Sequence, residues 1–245
     1  MDPKFQTILN EINLELNKNI DLKFKQGSIN FFKEPINPIG VRTPIVKKIA
    51  SKIYTKYKKE LLTKEWIEFS EILWQQKINK QNIPCMEYGM IIVAILRRQT
   101  KNMTKQDFYI FEKWINNYIT NWAHCDLFCT GVVGEIIRKN PELKKETIKW
   151  TKSKNRWVKR ASAVSYIKLS REKEFLQIIF QISDLLKNDS DDLVQKGYGW
   201  MLKDASKNYK KEVINYLLKN KDMPRTAIRY ACERLSKEEK NKIMY

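Results

Sequence analysis

The chain of 245 residues is long enough for one large domain or for a repeat array with a substantial core. Its 47 Lys plus Arg and 28 Asp plus Glu give a formal net charge of +19, so the expected partner is a polyanion, nucleic acid before an acidic membrane surface. Seven glycines and seven prolines are too few for the turns of an all-β fold, and the four cysteines form no short-chain disulfide framework.

The sequence gives no sign of a membrane segment. No stretch approaches 18 consecutive apolar residues, and the first residues, MDPKFQTILNE, lack the apolar core of a signal peptide. No single helical pattern combines the strong basic and apolar faces of a membrane-surface anchor. We therefore expect a cytoplasmic protein, nucleoid-associated if the source is bacterial, that makes no membrane contact.

Signals for helices follow one another along the whole chain. Apolar residues recur at helical spacing after Thr43 and again after Thr104. Ser236 and Glu239 fit a capping box before a last short helix. Three further sites place a capping residue before a proline at the first helical position: Asp2-Pro3, Thr43-Pro44 and Asn140-Pro141. These patterns predict an all-α fold.

The helices also repeat along the chain. The segment NRWVKRA at 155–161 is similar to DDLVQKG at 191–197, an offset of 36 residues, and a step of 35 back from Trp157 reaches Trp122. A period in the mid-thirties fits one helix pair per repeat. We predict an α-solenoid of HEAT-like helix pairs, a single domain over 1–245, coiled into a curved superhelix with a basic concave face.

Residues at matching repeat positions should lie on the same side of such a solenoid. In this register Asp126, Arg160 and Lys196 fall close to one row, with Trp122 and Trp200 each one helical turn away. We expect these side chains to line the concave surface together. An acid on a DNA-binding surface repels phosphate, so Asp126 should either pair with the arginine or serve catalysis.

The stretch NWAHCDLFC at 121–129 is open to three interpretations: a metal site, an active site or a buried helix face. Cys125 and Cys129 lie one turn apart near His124, but adjacent helical residues point about 100° apart, and buried thiols behave as small apolar groups. We expect no metal. Trp122 and Asp126 share one helix face. In isolation the tryptophan would be assigned to the core and the aspartate to a cap or an ion pair.

The basic excess is greatest between residues 144 and 160, KKETIKWTKSKNRWVKR, where eight cations accompany a single Glu146. The pattern indicates two helices around KSKN rather than a disordered tail. One interpretation is a solvated lysine face produced by composition alone. The other is a track that binds the phosphates of nucleic acid.

Four segments carry a resemblance to a known family. They are GVRTPIVKKIA at 40–50, NWAHCDLFCTGVVGEIIRKNPEL at 121–143, RWVKRASAVSYI at 156–167 and VQKGYGWMLKDAS at 194–206. In this order they resemble the DNA alkylation repair family of HEAT-like-repeat DNA glycosylases. The resemblance implies that Trp122 and Trp200 are aromatic walls of the site, that Asp126 is the catalytic carboxylate and that Arg160 grips the DNA backbone.

The resemblance also implies an activity: hydrolytic release of cationic N3- or N7-alkylated purines from duplex DNA by a monomeric, monofunctional glycosylase without metal or cofactor. We expect basic residues on the same segments to bind the DNA: Arg42, Lys47, Arg156, Lys159, Lys196 and Lys203. Two alternatives remain open. One is a non-catalytic paralogue that recognises damaged or branched DNA by shape, against which Asp126 argues. The other is a protein-interaction solenoid, for which the positive charge would be incidental.

Overall fold

The computed structural model describes residues 1–76, 78 and 82–244, and in this part of the chain the regular elements are helices, with no β-strand. The all-α prediction is confirmed. The α-helices are α1 Pro3–Asn17, α2 Leu22–Phe31, α3 Thr43–Tyr57, α4 Thr63–Gln75, α5 Met86–Leu96, α6 Lys105–Asn117, α7 Trp122–Phe128, α8 Gly134–Lys139, α9 Lys144–Trp150, α10 Arg156–Val164, α11 Leu176–Leu186, α12 Asp192–Ala205, α13 Lys210–Lys219, α14 Arg225–Ala231 and α15 Lys237–Met244.

The helices are arranged along the chain in pairs. The second helices α5, α7, α10, α12 and α14 begin at intervals of 36, 34, 36 and 33 residues. Within the pairs, α4 packs against α5, α9 against α10, and α11 against α12. This is the regular helix-pair spacing of an α-solenoid, so that prediction is confirmed too. The basic concave face stays a prediction.

The chain forms two compact units, Met1–Asp107 with Asn117–Leu127, and Phe108–Asn116 with Phe128–Tyr245. In the first unit, α3 packs against both α1 and α5. Four helices contribute fully buried residues to the core of this unit, among them Ile8, Val46, Trp66 and Ile91. The apolar spacing predicted after Thr43 accounts for the buried face of α3. The single domain over 1–245 stays a prediction.

In the second unit the second helices pack against one another in succession, α10 against α12 and α12 against α14. Fully buried Val164, Ile179, Met201 and Ala227 come from α10, α11, α12 and α14. The two helices predicted around KSKN are α9 and α10, and α10 begins after Asn155, whose side chain accepts from the backbone N–H of Trp157 at 2.9 Å.

Of the four predicted caps, two are confirmed, the one at Thr43 is wrong, and Asn140 stands before Pro141 at the start of the helical turn Pro141–Leu143 without a side-chain cap bond. Asp2 accepts from the Lys4 N–H at 2.7 Å, and Ser236 and Glu239 form the reciprocal capping box at 2.7 and 3.1 Å. Thr43 does not cap α3, because Arg42 already takes the extended cap position and Thr43 is the first helical residue. Asn140 instead donates to the carbonyl of Ile136 at 2.9 Å, which closes the preceding helix.

None of the helices in the described residues is both long enough and apolar enough to span a bilayer.

Candidate functional site

Helix α7 carries two of the predicted site residues on one face. Its N-terminus is capped by the fully buried Asn121, whose side-chain oxygen accepts from the His124 N–H at 2.9 Å. Trp122 and Asp126 lie four residues apart and are both half-buried. Residues at this spacing on a helix are neighbours on its surface, so an indole and a carboxylate are presented side by side.

The indole of Trp122 lies against two aromatic rings that the sequence did not single out. Phe32 stacks on it with ring centroids 5.0 Å apart and an angle of 13° between planes, and Phe31 meets it edge-on at 6.0 Å. Phe31 is 71% exposed, at the end of α2, a helix with no buried residue. The signal available in the sequence was this pair of adjacent aromatics ending a weakly apolar helix. These contacts orient the indole and leave an accessible aromatic surface beside it.

The loop that follows Phe32 is held by a buried carboxylate. Glu87, 1% exposed in the first turn of α5, accepts the backbone N–H groups of Ile39, Gly40 and Val41 at 2.9, 2.8 and 3.0 Å. Gly40 has φ of +111°, a conformation that side chains disfavour. Three donors offset the desolvation of this carboxylate, so Glu87 fixes the connection between α2 and α3.

His124 points away from the Trp122–Asp126 face and is itself fully enclosed. Its Nε2 lies 3.1 Å from the Met86 carbonyl, and its Nδ1 lies 3.2 Å from the Asn121 amide nitrogen. Burial lowers its pKa from 6.5 to about 4, although the Met86 carbonyl and the Glu87 charge act in the opposite direction. The imidazole is therefore neutral at pH 7, and both of its nitrogens are engaged.

The metal interpretation of this stretch finds no partner set in the described residues, where no group of three or more His, Cys, Asp or Glu side chains could hold an ion. Cys125 and Cys129 are fully buried thiols. After α7 the chain makes a π-helical turn over Cys129–Val133, a wide turn that often occurs near functional sites.

Arg160 and Trp200 belong to the second unit. Arg160 is only 5% exposed: its guanidinium donates to the Leu193 carbonyl, and its aliphatic chain passes over Gly197 of α12. It therefore joins α10 to α12. Trp200 is half-buried on α12, one turn beyond Lys196. The convergence of Trp122, Asp126, Arg160 and Trp200 on one groove stays a prediction.

Five of the six cations predicted to bind DNA form ion pairs. The pairs are Arg42–Asp21 at 2.9 Å, Lys196–Asp192 at 2.8 Å, Lys203–Glu233 at 2.6 Å, Arg156–Asp191 and Lys159–Asp189. The carboxylate of Asp192 raises the pKa of Lys196. The more exposed of these pairs, such as Arg42–Asp21, contribute only about 0–1 kcal/mol, so a phosphate can compete for the cation. Lys159 and Asp189, with side chains 20% and 12% exposed, form a partly buried pair. The local field of the paired cations is nevertheless weaker than the count of lysines and arginines suggests.

The sixth cation, Lys47, lines a groove of about 430 Å³ with Ala94, Arg97 and Arg98, which we call the basic groove. The Arg98 guanidinium lies 5.3 Å from the centre of the Tyr54 ring and donates to the Ala94 carbonyl, so it is held in place. The sequence reasoning missed both arginines. They follow the most apolar helix of the chain, and their adjacency at its end was the available signal.

A further groove, of about 280 Å³, lies in the second unit. Lys196 lines it together with Thr226, Arg229, Tyr230 and Glu233. Because Glu233 lines this groove together with the cations, its charge is mixed. Of the two grooves, the basic groove is the better suited to a phosphate.

Comparison with known proteins identifies the class. The sequence profile of the family described as DNA alkylation repair enzyme matches residues 12–235. The chain therefore belongs to the DNA alkylation repair enzyme family, which confirms the resemblance seen in the sequence. A search of curated proteins gives no match.

The fold has a counterpart among solved structures. A protein described as a predicted DNA alkylation repair enzyme from Enterococcus faecalis superposes with a TM-score of 0.76, over 89% of this chain and 98% of that chain, at 13% sequence identity. Identity at this level supports the shared fold and leaves residue roles to be argued from the chain itself.

Proposed function

We propose that this family member is a monofunctional DNA glycosylase that releases cationic N3- or N7-alkylated purines from duplex DNA. The observation that carries the proposal is the placement of Trp122 and Asp126 side by side on one face of α7. We further propose that the protein acts as a monomer in the cytoplasm, without metal or cofactor.

A cationic base is a good leaving group, so this reaction needs no general acid. The bond between C1′ and the ring nitrogen breaks with both electrons going to the base, which leaves neutral. Water adds to C1′ and releases its proton to solvent. Asp126 stabilises the positive charge that develops on the deoxyribose and orients the water. The face of Trp122 adds a cation–π contribution of about 0.5–2 kcal/mol.

The second unit is assigned the remaining roles that the resemblance implies. Trp200 offers a second aromatic face to the deoxyribose. Arg160 contacts the DNA backbone while it joins α10 to α12. Because the sequence singles out no lysine as a Schiff-base nucleophile, the proposed enzyme hydrolyses the glycosidic bond and does not cleave the strand.

The first test removes the charge of Asp126 without changing its shape. Asp126→Asn should lower the rate of base release from alkylated duplex DNA by roughly 10²–10³, the scale for one preorganised electrostatic group. Asp222→Asn is the matched control, because Asp222 is an exposed partner of Lys187 at 3.3 Å. The measurement is release of methylated purines at saturating enzyme.

Two results would count against this proposal. An Asp126→Asn enzyme as fast as the wild type would remove the carboxylate from the mechanism. A wild-type protein that releases no base above the spontaneous background, yet binds alkylated or branched DNA, would instead identify a non-catalytic DNA-binding paralogue.

The second test concerns the basic groove. Lys47→Ala should weaken binding to all DNA sequences alike and reduce the log–log salt slope by about 1, the loss of one phosphate contact. Lys48→Ala makes the same change in charge on the adjacent exposed residue, which points about 100° around α3. We expect a clearly smaller effect from it. Equal effects would mean that the groove contributes only its overall charge, and no salt dependence at all would favour a protein-interaction solenoid.

A further inference from the structure

We propose that His124 is a positioning residue: its hydrogen bonds to Asn121 and to the Met86 carbonyl, which we call the His124 network, fix α7 on α5 and so place Trp122 and Asp126. The inference rests on the proposed function, because it takes these two side chains as the groups that act on DNA. His124 itself touches no substrate.

The placement of His124 on α7 suits that role. It lies two residues after Trp122 and two before Asp126, which turns it about 200° away from both around the helix axis. The face that carries the indole and the carboxylate is half-buried, while His124 is 1% exposed. Any movement of the imidazole against α5 is therefore passed to both site residues through one rigid turn of helix.

The hydrogen bonds select a single tautomer. The Met86 carbonyl can only accept, so Nε2 carries the proton and donates across 3.1 Å. Nδ1 then accepts from the Asn121 amide at 3.2 Å. The amide oxygen of Asn121 accepts from the His124 N–H at 2.9 Å. Each donor faces an acceptor, and flipping the amide would break two bonds at once.

The ring is closely packed by residues of α4 and α5. A Cβ added at Gly89 of α5 would lie 2.3 Å from Nε2, so this glycine makes room for the imidazole. Trp74 of α4 meets the ring edge-on at 5.3 Å. These contacts fix the ring from α4 and α5, and the Asn121 amide fixes it from the start of its own helix.

Protonation would break this arrangement. The Nδ1–H of an imidazolium would face the amide donors of Asn121, and turning the amide round would leave the His124 N–H without its cap. The charged group acting on the ring is Glu87 of α5, whose carboxylate also accepts from the Cys85 thiol at 3.4 Å. Trp74, which α4 presents, does not titrate. The low pKa of His124 is consistent with a site that admits only the neutral ring.

NMR spectroscopy can test the network directly, because His124 is the only histidine of the chain. The imidazole nitrogens of the intact protein should report the Nε2–H tautomer and a pKa well below 6.5. Asn121→Asp supplies an acceptor for a protonated Nδ1 while keeping the helix cap, so it should raise the imidazole pKa by about 1–3. An Nδ1–H tautomer, or a wild-type pKa near 6.5, would overturn the proposal.

Single-turnover base release separates positioning from folding. His124→Phe keeps an aromatic ring beside Trp74 but loses both hydrogen bonds, and His124→Gln retains a donor for Met86. We expect DNA affinity within about twofold of wild type for both, and rates falling on the order of 10-fold to 100-fold for Phe with Gln in between. Melting temperatures verify that both variants are folded. Wild-type rates in the Phe variant, or a loss of rate that tracks DNA affinity, would refute the positioning role.

The NMR and base-release experiments distinguish a failure of the His124 proposal from a failure of the proposed function. If the wild-type protein releases no base, the proposed function falls, and the tautomer and the Asn121→Asp titration still decide whether the His124 network exists. Hydrogen exchange of the amides of 122–126, faster in His124→Phe than in wild type, then decides whether it holds α7. Unchanged exchange there would overturn the proposal independently of catalysis.

Discussion

In both units a buried polar side chain joins neighbouring second helices in the same way, but the side chains differ. In the first unit His124 of α7 lies over Gly89 of α5 and donates to the carbonyl of Met86, the first residue of that helix. In the second unit Arg160 of α10 lies over Gly197 of α12 and donates to the carbonyl of Leu193, its second residue. In both cases a buried polar side chain crosses a glycine and donates to a carbonyl in the first turn of a neighbouring helix. We call each of these two contacts a joint.

The difference between the two joints lies in fit and charge. The rigid imidazole fits so closely that a Cβ on Gly89 would fall 2.3 Å from Nε2, whereas a Cβ on Gly197 would stay 3.3 Å from the Arg160 Cγ. The imidazole is neutral and can be protonated, and the guanidinium keeps its charge at any ordinary pH. A tight, neutral joint holds one exact geometry, while a loose, charged one tolerates adjustment.

Replacing each of the two glycines by alanine should give the largest difference in stability between the two joints. Gly89→Ala drives the ring off Met86 and leaves buried donors unpaired, so we expect it to lower the free energy of unfolding by about 2–4 kcal/mol. Gly197→Ala should stay within about 1 kcal/mol of wild type, because a flexible arginine can yield and alanine is the better helix former by about 1 kcal/mol. Urea unfolding followed by circular dichroism measures both.

A double variant provides the control for this prediction. In a His124→Ala background the added Cβ at Gly89 has room, so the further change to alanine should cost little, and the two substitutions should be strongly non-additive. Additive costs, or equal costs at Gly89 and Gly197, would show that the closeness of fit does not distinguish the two joints.

The comparison also shows what the sequence could predict. Helix periodicity, the repeat spacing and the shared face of Trp122 and Asp126 depend on local sequence pattern, so they could be predicted from the sequence alone. The cap predicted at Thr43 was wrong because the helix begins one residue earlier than the pattern indicated. At Asn140 the side chain makes no cap bond because it donates to the Ile136 carbonyl instead.

The contacts between residues far apart in the chain could not be predicted from the sequence, for a physical reason. Nothing local in the sequence pairs His124 with Met86, places Phe32 on Trp122 or brings Arg97 beside Lys47, because each contact depends on how separate helices pack. The same holds for the ion pairs of the predicted DNA-binding cations. Counting basic residues indicated a nucleic-acid partner, which agrees with membership of the DNA alkylation repair enzyme family, but it could not show which cations already face a carboxylate.

The response to pH separates the two joints most cleanly. The folded pKa of His124 is depressed from 6.5 to about 4, so between these values the unfolded chain binds more protons than the folded one. The contribution of His124 to stability is therefore complete above about pH 6.5 and is lost as the pH falls towards 4. At about 1.4 kcal/mol for each pKa unit, the loss reaches roughly 3 kcal/mol.

Acid also protonates carboxylates that stabilise the fold, so the prediction is made on differences between variants. Lys56 and Tyr57 hold the pKa of Glu11 below its usual value, and its contribution also declines in acid. Unfolding free energies of wild type and His124→Phe should therefore converge from pH 7 to pH 4.5, because only wild type loses the imidazole contribution. Arg160→Met, which removes the charged joint, should instead run parallel to wild type across that interval. Parallel curves for His124→Phe would mean that the imidazole is not kept neutral by its burial, and the contrast between a titratable and a permanent joint would then be lost.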